Sequence, residues 1–267
     1  MKNQGIIKEF QRGNALIIIL IIIALLSALT ITVTRMGESE NDVSQEEAQV
    51  VASQVLRQAK TVVNGVEGLI AKGCSYTQLS FENATVTGYA NAQSPSNKSC
   101  WLFDGSGAGL AFPVPPKLAN DGTNWFFGRH TSIDGVGPER ETLVGCTANC
   151  QEILMILPLV NLNVCNAINK LAGVTTTDNL PPKDDYILDV NLKFSAASTA
   201  PSVTNLSNAN TSTGTRLRAS GSGAISSRAL WDKKSGCIET VNGYTDSSGA
   251  NQSGTGKYFF YQVLVER

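Results

Sequence analysis

Residues 15–33 read ALIIILIIIALLSALTITV, an apolar run that no charged residue interrupts. As a helix, its 19 residues would extend roughly 28 Å, close to the hydrocarbon thickness of about 30 Å of a bilayer. The segment before the run is basic, and the segment from Glu38 to Glu47 after it is acidic. The excess of positive charge on the N-terminal side predicts a single-pass protein, with its N-terminus in the cytoplasm and the rest of the chain outside.

A secretory signal peptide that is removed is the alternative interpretation of this run. It would need an apolar region of about 7–15 residues and a cleavage site of small residues. Ser27 and Ala28 match such a site only weakly. An uncleaved span in the membrane is therefore the leading interpretation.

Composition excludes several classes of function for this chain. The 267 residues carry a formal net charge of −1, so we expect no nucleic-acid partner, which would need a basic surface. His130 is the one histidine of the sequence, so no site can be built on two imidazoles. No paired catalytic groups are visible, and we expect a protein that is not an enzyme.

All six cysteines follow the apolar run, as expected for an exported domain with up to three disulfides. Six cysteines allow 15 pairings. Pairing of Cys74 with Cys100 would connect the end of a helix to the following loop, and the other four are left open. Zinc is a competing interpretation of Cys146 and Cys150, which lack a second close-spaced pair. The disulfide candidates are Cys74, Cys100, Cys146, Cys150, Cys165 and Cys237.

A second helical segment with an apolar stripe on one face follows the acidic residues. Its apolar positions recur in steps of three and four residues, which predicts an amphipathic helix. Lys72 and Gly73 are typical of a helix end. The stripe consists of Val51, Val55, Ala59, Val62, Val66 and Leu69 or Ile70.

Beyond residue 73, short apolar runs between Gly, Pro, Asn and Ser predict a sheet-rich domain. A further helix is expected over Gln151–Leu171, broken or kinked at Pro158. The alternating segment Tyr186–Phe194 predicts a strand, and Ser195–Ser227 reads as an exposed loop or edge segment. Cys237–Val241 and Lys257–Val265 predict a C-terminal pair of strands.

The motif Gln11-Arg12-Gly13-Asn14-Ala15-Leu16-Ile17 resembles the processing region of the type IV pilin and pseudopilin superfamily. This resemblance implies a leader over residues 1–13 that a prepilin peptidase removes between Gly13 and Asn14. It also implies a helix over residues 14–35 in the membrane or filament core, and its amphipathic continuation over 36–73. The expected fold is α+β and pilin-like, with the long helix packed on an antiparallel sheet in a head formed by residues 74–267.

Two residues depart from the family's pattern. Asn14 stands where the first mature residue is usually phenylalanine or methionine, and Ile18 stands where most members carry glutamate. A carboxylate in the bilayer is costly and is kept for a function. In the family it pairs with the N-terminal amine of a neighbouring subunit, and the minor subunit at the filament tip also lacks it. The resemblance thus implies a minor or tip subunit, or a pilin-like protein that does not polymerise.

The implied location is the bacterial inner membrane, with the head in the periplasm or on a surface filament. The implied partners are other pilins or pseudopilins, the prepilin peptidase and the inner-membrane assembly platform. A membrane-anchored binding domain without polymerisation is the alternative function. The residues expected to form the membrane and assembly helix include Ala15, Leu16, Ile18, Leu20, Ile22, Leu25 and Leu29.

The sequence contains only weak indications of ligand sites in the head. No cofactor is expected, although Asp178, Asp184 and Asp185 are weak calcium candidates because loop carboxylates suit that ion. Exposed aromatic residues would favour a sugar or surface ligand, but a buried aromatic core is the default interpretation. The aromatic residues in question are Trp101, Trp125, Phe126, Phe127 and Trp231.

Overall fold

The computed structural model describes the chain as two compact units, residues 1–42 and 43–267. The residues described are 18–24, 43–133, 136, 152–176, 178–184, 188–189, 193–194, 216–217, 229–230, 232–240, 243–246, 248–253 and 256–266. In the first unit, residues 18–24 are helical. No helix within the described ranges is long and apolar enough to cross a membrane. The predicted leader and most of the apolar run lie outside the described residues.

Helix α1, Gln45–Ala71, is the longest element of the second unit. Ser44 is its N-cap, and the Ser44 hydroxyl accepts a hydrogen bond from the Glu47 backbone N–H at 3.3 Å. The Glu47 carboxylate accepts one from the Ser44 N–H in return, so two of the otherwise unpaired donors at the helix start are satisfied. The helix ends at Ala71 with Lys72 as its C-cap, and Gly73 follows with a left-handed φ of 95°. The predicted amphipathic helix is confirmed over Gln45–Ala71, together with its end. The expected continuation over 36–73 is wrong at Val43 and Ser44, which are not helical because the capping box at Ser44 starts the helix there.

The rest of the second unit contains one more helix and nine strands in the described ranges. Helix α2 is Leu162–Ala172. The strands are β1 Phe126–Ile133, β2 Glu152–Val160, β3 Lys183–Asp184, β4 Leu188–Asp189, β5 Arg216–Leu217, β6 Ser235–Thr240, β7 Tyr244–Thr245, β8 Asn251–Gln252 and β9 Lys257–Val265.

The main sheet has the order β3-β6-β9-β2-β1-β5, and a second sheet has the order β4-β7-β8. The central four strands are antiparallel, whereas the short edge strands β3 and β5 pair in parallel with β6 and β1. The domain is therefore an α+β mixture of helix and largely antiparallel sheet, as the sequence predicts at that coarse level. The predicted C-terminal pair is confirmed, since β6 and β9 align Cys237 with Phe260.

The helix expected over Gln151–Leu171 is wrong for its first half, which forms strand β2 instead. β2 lies between β1 and β9. The side chains on its two faces pack in two separate hydrophobic cores. Met155 faces the core shared with α1, and Ile156 faces the other one. When a short apolar run is buried on both faces, its hydrophobic residues do not alternate with polar ones. Their spacing therefore does not distinguish a strand from a helix.

Pro158 marks a bulge in β2, because the pairing with β9 shifts between Leu157 and Val160. Proline is tolerated there because it removes no regular ladder hydrogen bond. Leu159 adopts a φ of 55°, and Asn161 then caps α2 by accepting a hydrogen bond from the Asn163 N–H at 3.0 Å. The break expected at Pro158 thus separates a strand from a helix.

Candidate functional site

The residues expected at the processing site and in the assembly helix are only partly described. Gly13, Asn14, Ala15, Leu16, Leu25 and Leu29 lie outside the described residues. Ile18, Leu20 and Ile22 lie in the helical segment 18–24, where their side chains are 54%, 65% and 49% exposed. An exposed apolar helical surface of this kind suits a lipid or protein environment more than water.

The inner face of α1 packs against α2 and β9. Ala52, Val55, Ala59 and Val66 are completely buried there. These side chains are short, so the helix can approach the head closely. Every predicted stripe position is buried apart from Ile70, which is 40% exposed near the end of the helix.

Polar contacts along α1 fix its position on the head. The Gln58 amide donates to the Val114 carbonyl at 2.8 Å and accepts from the Trp125 indole N–H at 3.2 Å. Near the helix start, the Asn163 amide of α2 donates to the Val43 carbonyl at 2.8 Å. Gln58 could not be identified from the sequence, because a glutamine at the border of an apolar stripe carries no signal of its long-range partners.

Gly65 lets the loop over residues 101–110 approach α1. A Cβ at this position would lie 2.6 Å from Leu110 Cδ1 and 3.0 Å from Leu102 Cδ1. Beyond the helix end, the Lys72 ammonium donates to the Gly107 carbonyl at 3.2 Å. The loop is therefore held against both the middle and the end of α1.

Two disulfides lie in the described part of the head. The predicted Cys74–Cys100 pair is confirmed and connects the end of α1 to a loop, with a Cα–Cα distance of 5.8 Å. Cys165 of α2 is bonded to Cys237 of β6, with a Cα–Cα distance of 5.3 Å. Cys146 and Cys150 lie outside the described residues.

The outer face of α1 carries four charges in the order acidic, basic, basic, acidic: Glu46, Arg57, Lys60 and Glu67. All four residues are exposed. None of them takes part in an ion pair within the described ranges. The opposite face of the same helix is buried, so this charged face is the one available to another molecule.

The aromatic residues are mainly in the core, as the default interpretation has it. Trp125, Phe126 and Phe127 are at most 3% exposed. Phe127 stacks on Phe81 at a ring distance of 4.6 Å. Trp101 is half-buried beneath the Lys98 ammonium, which lies 4.6 Å from the ring centre, and Trp231 lies outside the described residues.

The calcium candidates are described only in part, and the side chain of Asp184 lies outside the described part. Asp178 is exposed in a turn with a φ of 55°, Asp184 lies in β3, and Asp185 is outside the described residues. Within the described ranges, no group of three or more His, Cys, Asp or Glu residues is arranged to hold a metal ion. His130 lies in β1, and its side chain is outside the described part.

Comparison with known proteins finds no matching family model, no matching curated relative and no matching solved structure.

Proposed function

We propose that this chain is a minor pilin-like or pseudopilin-like subunit of a type IV pilus, competence filament or type II secretion filament. It is anchored in the inner membrane through residues 15–33 and assembled through its N-terminal helix. The observation that carries the proposal is helix α1, whose inner face is buried in a disulfide-containing α+β head. In sequence, α1 begins shortly after the uncharged apolar run ends.

Prepilin peptidase is the first partner of the proposed pathway. Cleavage after Gly13 converts a subunit with a basic leader into one that begins at Asn14, directly before the apolar run. The uncharged run is stable in lipid and equally so among other apolar helices, because both environments exclude water. The subunit can therefore remain in the membrane as a monomer before it enters a filament, with the head outside the membrane in both states.

Ile18 makes this a minor or tip subunit in the proposal. Its side chain offers no carboxylate for the terminal amine of a neighbouring subunit, so one of the usual polar contacts of assembly is missing. The chain is then best suited to a position in the filament where it does not need to pair with the terminal amine of a neighbouring subunit. Replacing Ile18 by glutamate would supply the carboxylate, and we expect it to raise incorporation along the shaft.

The test of the proposal is the mass-spectrometric N-terminus of the protein recovered from membranes. With prepilin peptidase present we expect a chain that begins at Asn14, and without it a chain that begins at Met1. Gly13→Leu should block cleavage, whereas Gly5→Leu, in the same leader, should not. An intact Met1 in the presence of the peptidase would leave a membrane-anchored binding domain that does not polymerise. A chain that begins near residue 29 would indicate an ordinary secretory signal.

A further inference from the structure

Five asparagines of the sequence stand in the pattern Asn-x-Ser/Thr, the acceptor signal for N-linked oligosaccharides. This signal arises by chance in a chain rich in Asn, Ser and Thr, so the sequence alone does not rank the five. Asn205 and Asn210 lie outside the described residues, whereas Asn83, Asn97 and Asn251 lie within them. For these three, the hydrogen bonds show which amide nitrogen is available for modification.

The amide of Asn83 is committed to the fold. Its Oδ1 accepts hydrogen bonds from the N–H groups of Thr85 at 2.8 Å and Val86 at 2.7 Å. Its Nδ2 donates to the carbonyl of Phe81 at 2.9 Å, and Phe81 is itself only 1% exposed. An enzyme could reach this nitrogen only by displacing it from the head.

Asn251 is exposed but belongs to a paired strand. Its backbone aligns with Thr245 in the hairpin of β7 and β8, and its Oδ1 accepts from the Thr245 hydroxyl at 2.9 Å. The side chain of the neighbouring Gln252 donates to the Asp246 carboxylate at 3.0 Å. A transferase has to close around the acceptor segment, and here it would first have to separate the two strands.

Asn97 is free of both restraints. It is exposed at a tight turn, in which the Lys98 N–H donates to the Pro95 carbonyl at 2.9 Å. Its Oδ1 accepts from the Ser99 N–H at 3.1 Å, an Asx turn that bends the chain between the acceptor and the residue that carries the hydroxyl. Within the described ranges, its backbone N–H, its carbonyl and its Nδ2 make no hydrogen bond. The nitrogen that would take a sugar is thus open to another molecule.

The turn that contains Asn97 is held at one end of the head. The disulfide Cys74–Cys100 joins it to the residues that follow α1, and the Trp101 N–H donates to the Lys98 carbonyl at 3.0 Å. The 27 residues of α1 separate this end from Ser44 by about 40 Å. A bulky group on Asn97 therefore leaves the start of α1 undisturbed.

From these differences we propose that Asn97 Nδ2 accepts an N-linked oligosaccharide from a lipid-linked donor. The nitrogen attacks the anomeric carbon of the donor sugar, so that a C–N bond forms and the C–O bond to the lipid pyrophosphate breaks. The lipid pyrophosphate leaves with the electron pair, and the nitrogen loses one proton to a base of the transferase. The inference rests on the proposed function for one point, the position of the head outside the membrane that anchors such a donor.

Mass spectrometry of the full chain from membranes tests the inference. The cells carry a lipid-linked oligosaccharide and its transferase, and cells without the transferase are the reference. We expect an added oligosaccharide on Asn97, and none in the reference cells. Asn97→Gln and Ser99→Ala should both abolish it, whereas Ser99→Thr should retain it. Because Ser99→Ala keeps the acceptor asparagine, its effect reports the signal and not merely the loss of a side chain.

Thr85→Ala and Ser253→Ala are the matched controls, because they remove the signals at Asn83 and Asn251 and leave Asn97 intact. Both should leave the added mass unchanged. An unmodified Asn97 in cells that do modify a reference acceptor peptide would overturn the inference. An oligosaccharide on Asn83 or Asn251 in place of Asn97 would overturn it as well.

The N-terminus measured on the same samples separates the two proposals. Modification of Asn97 on a chain that keeps Met1 would support this site and contradict the pilin pathway. Cleavage after Gly13 without modification of Asn97 would support the pilin pathway and contradict this site.

Discussion

Asn169 and Cys237 are joined by two hydrogen bonds, although one is a helix residue and the other a strand residue. The side-chain oxygen Oδ1 of Asn169 accepts a hydrogen bond from the Cys237 backbone N–H at 2.8 Å, and the side-chain Nδ2 donates to the Cys237 carbonyl at 2.7 Å. Both residues are completely buried. The Asn169 side chain therefore makes with β6 the pair of backbone hydrogen bonds that a neighbouring strand would otherwise make. The disulfide from Cys237 to Cys165 holds the same helix in place.

Replacing Asn169 by leucine should destabilise the protein by about 2–5 kcal/mol, because a backbone N–H and a carbonyl would be left buried and unpaired. Urea unfolding of the purified chain measures this loss. The exposed Asn64 is the matched control, and Asn64→Ala should change the free energy of unfolding by less than about 0.5 kcal/mol. Equal effects at the two positions would contradict the role given to the Asn169 amide.

Removing the two disulfides should have unequal effects. The sequence separations are 26 residues for Cys74–Cys100 and 72 for Cys165–Cys237. Loop-closure entropy then predicts losses of about 3.5 and about 4.4 kcal/mol. Paired Cys→Ser variants and urea unfolding give the two values. The opposite ranking would show that contacts in the folded state, rather than loop length, dominate the difference.

Gly107 is required by a close approach of two backbone segments. A Cβ at this position would lie 1.9 Å from the Trp101 carbonyl oxygen, whereas nothing lies within 4 Å of a Cβ at Gly105. The Ala108 N–H also donates to that carbonyl at 3.0 Å, so the oxygen cannot move away freely. Gly107→Ala should cost at least about 2 kcal/mol, and Gly105→Ala should be nearly neutral. Thermal unfolding of the pair provides the comparison.

Acid should loosen the hairpin formed by β7 and β8. The hydroxyl of Ser248, followed by the Ala250 N–H, lowers the pKa of Asp246 below its ordinary value of 3.8. A carboxyl group with a lowered pKa stabilises the folded state above pH 3.8, and that stabilisation is lost as the pH falls through the lowered pKa. An NMR titration of the Asp246 carboxyl should therefore have its midpoint below 3.8.

Ser248→Ala should move that midpoint upward, because it removes the largest stabilising contact of the carboxylate. Ser253→Ala, at an exposed serine of the same region, is the matched control and should leave the midpoint in place. A midpoint that is unchanged in Ser248→Ala would contradict the assignment of the cause.

Helix α1 and the C-terminal strand pair could be predicted from local patterns alone. The stripe from Val51 to Leu69 repeats with the helical period, and Gly73 permits the left-handed turn that ends it. The Cys74–Cys100 pair followed from its place at the end of this helix. In these cases the residues that determine the structure are close together in the sequence or lie on one buried face. Their pattern can therefore be recognised in the sequence.

Strand β2 and the attachment of α1 to the head were decided by tertiary structure. An apolar run such as Glu152–Val160 is compatible with strand or helix, and only its burial between two cores selects the strand. Gln58 and Asn169 act through partners 56–68 residues away. By itself, the sequence determined the periodic elements and the uncharged run before them, because their signals are local. The tertiary structure decided which polar side chains join distant segments, because a hydrogen bond between them exists only once the chain has folded.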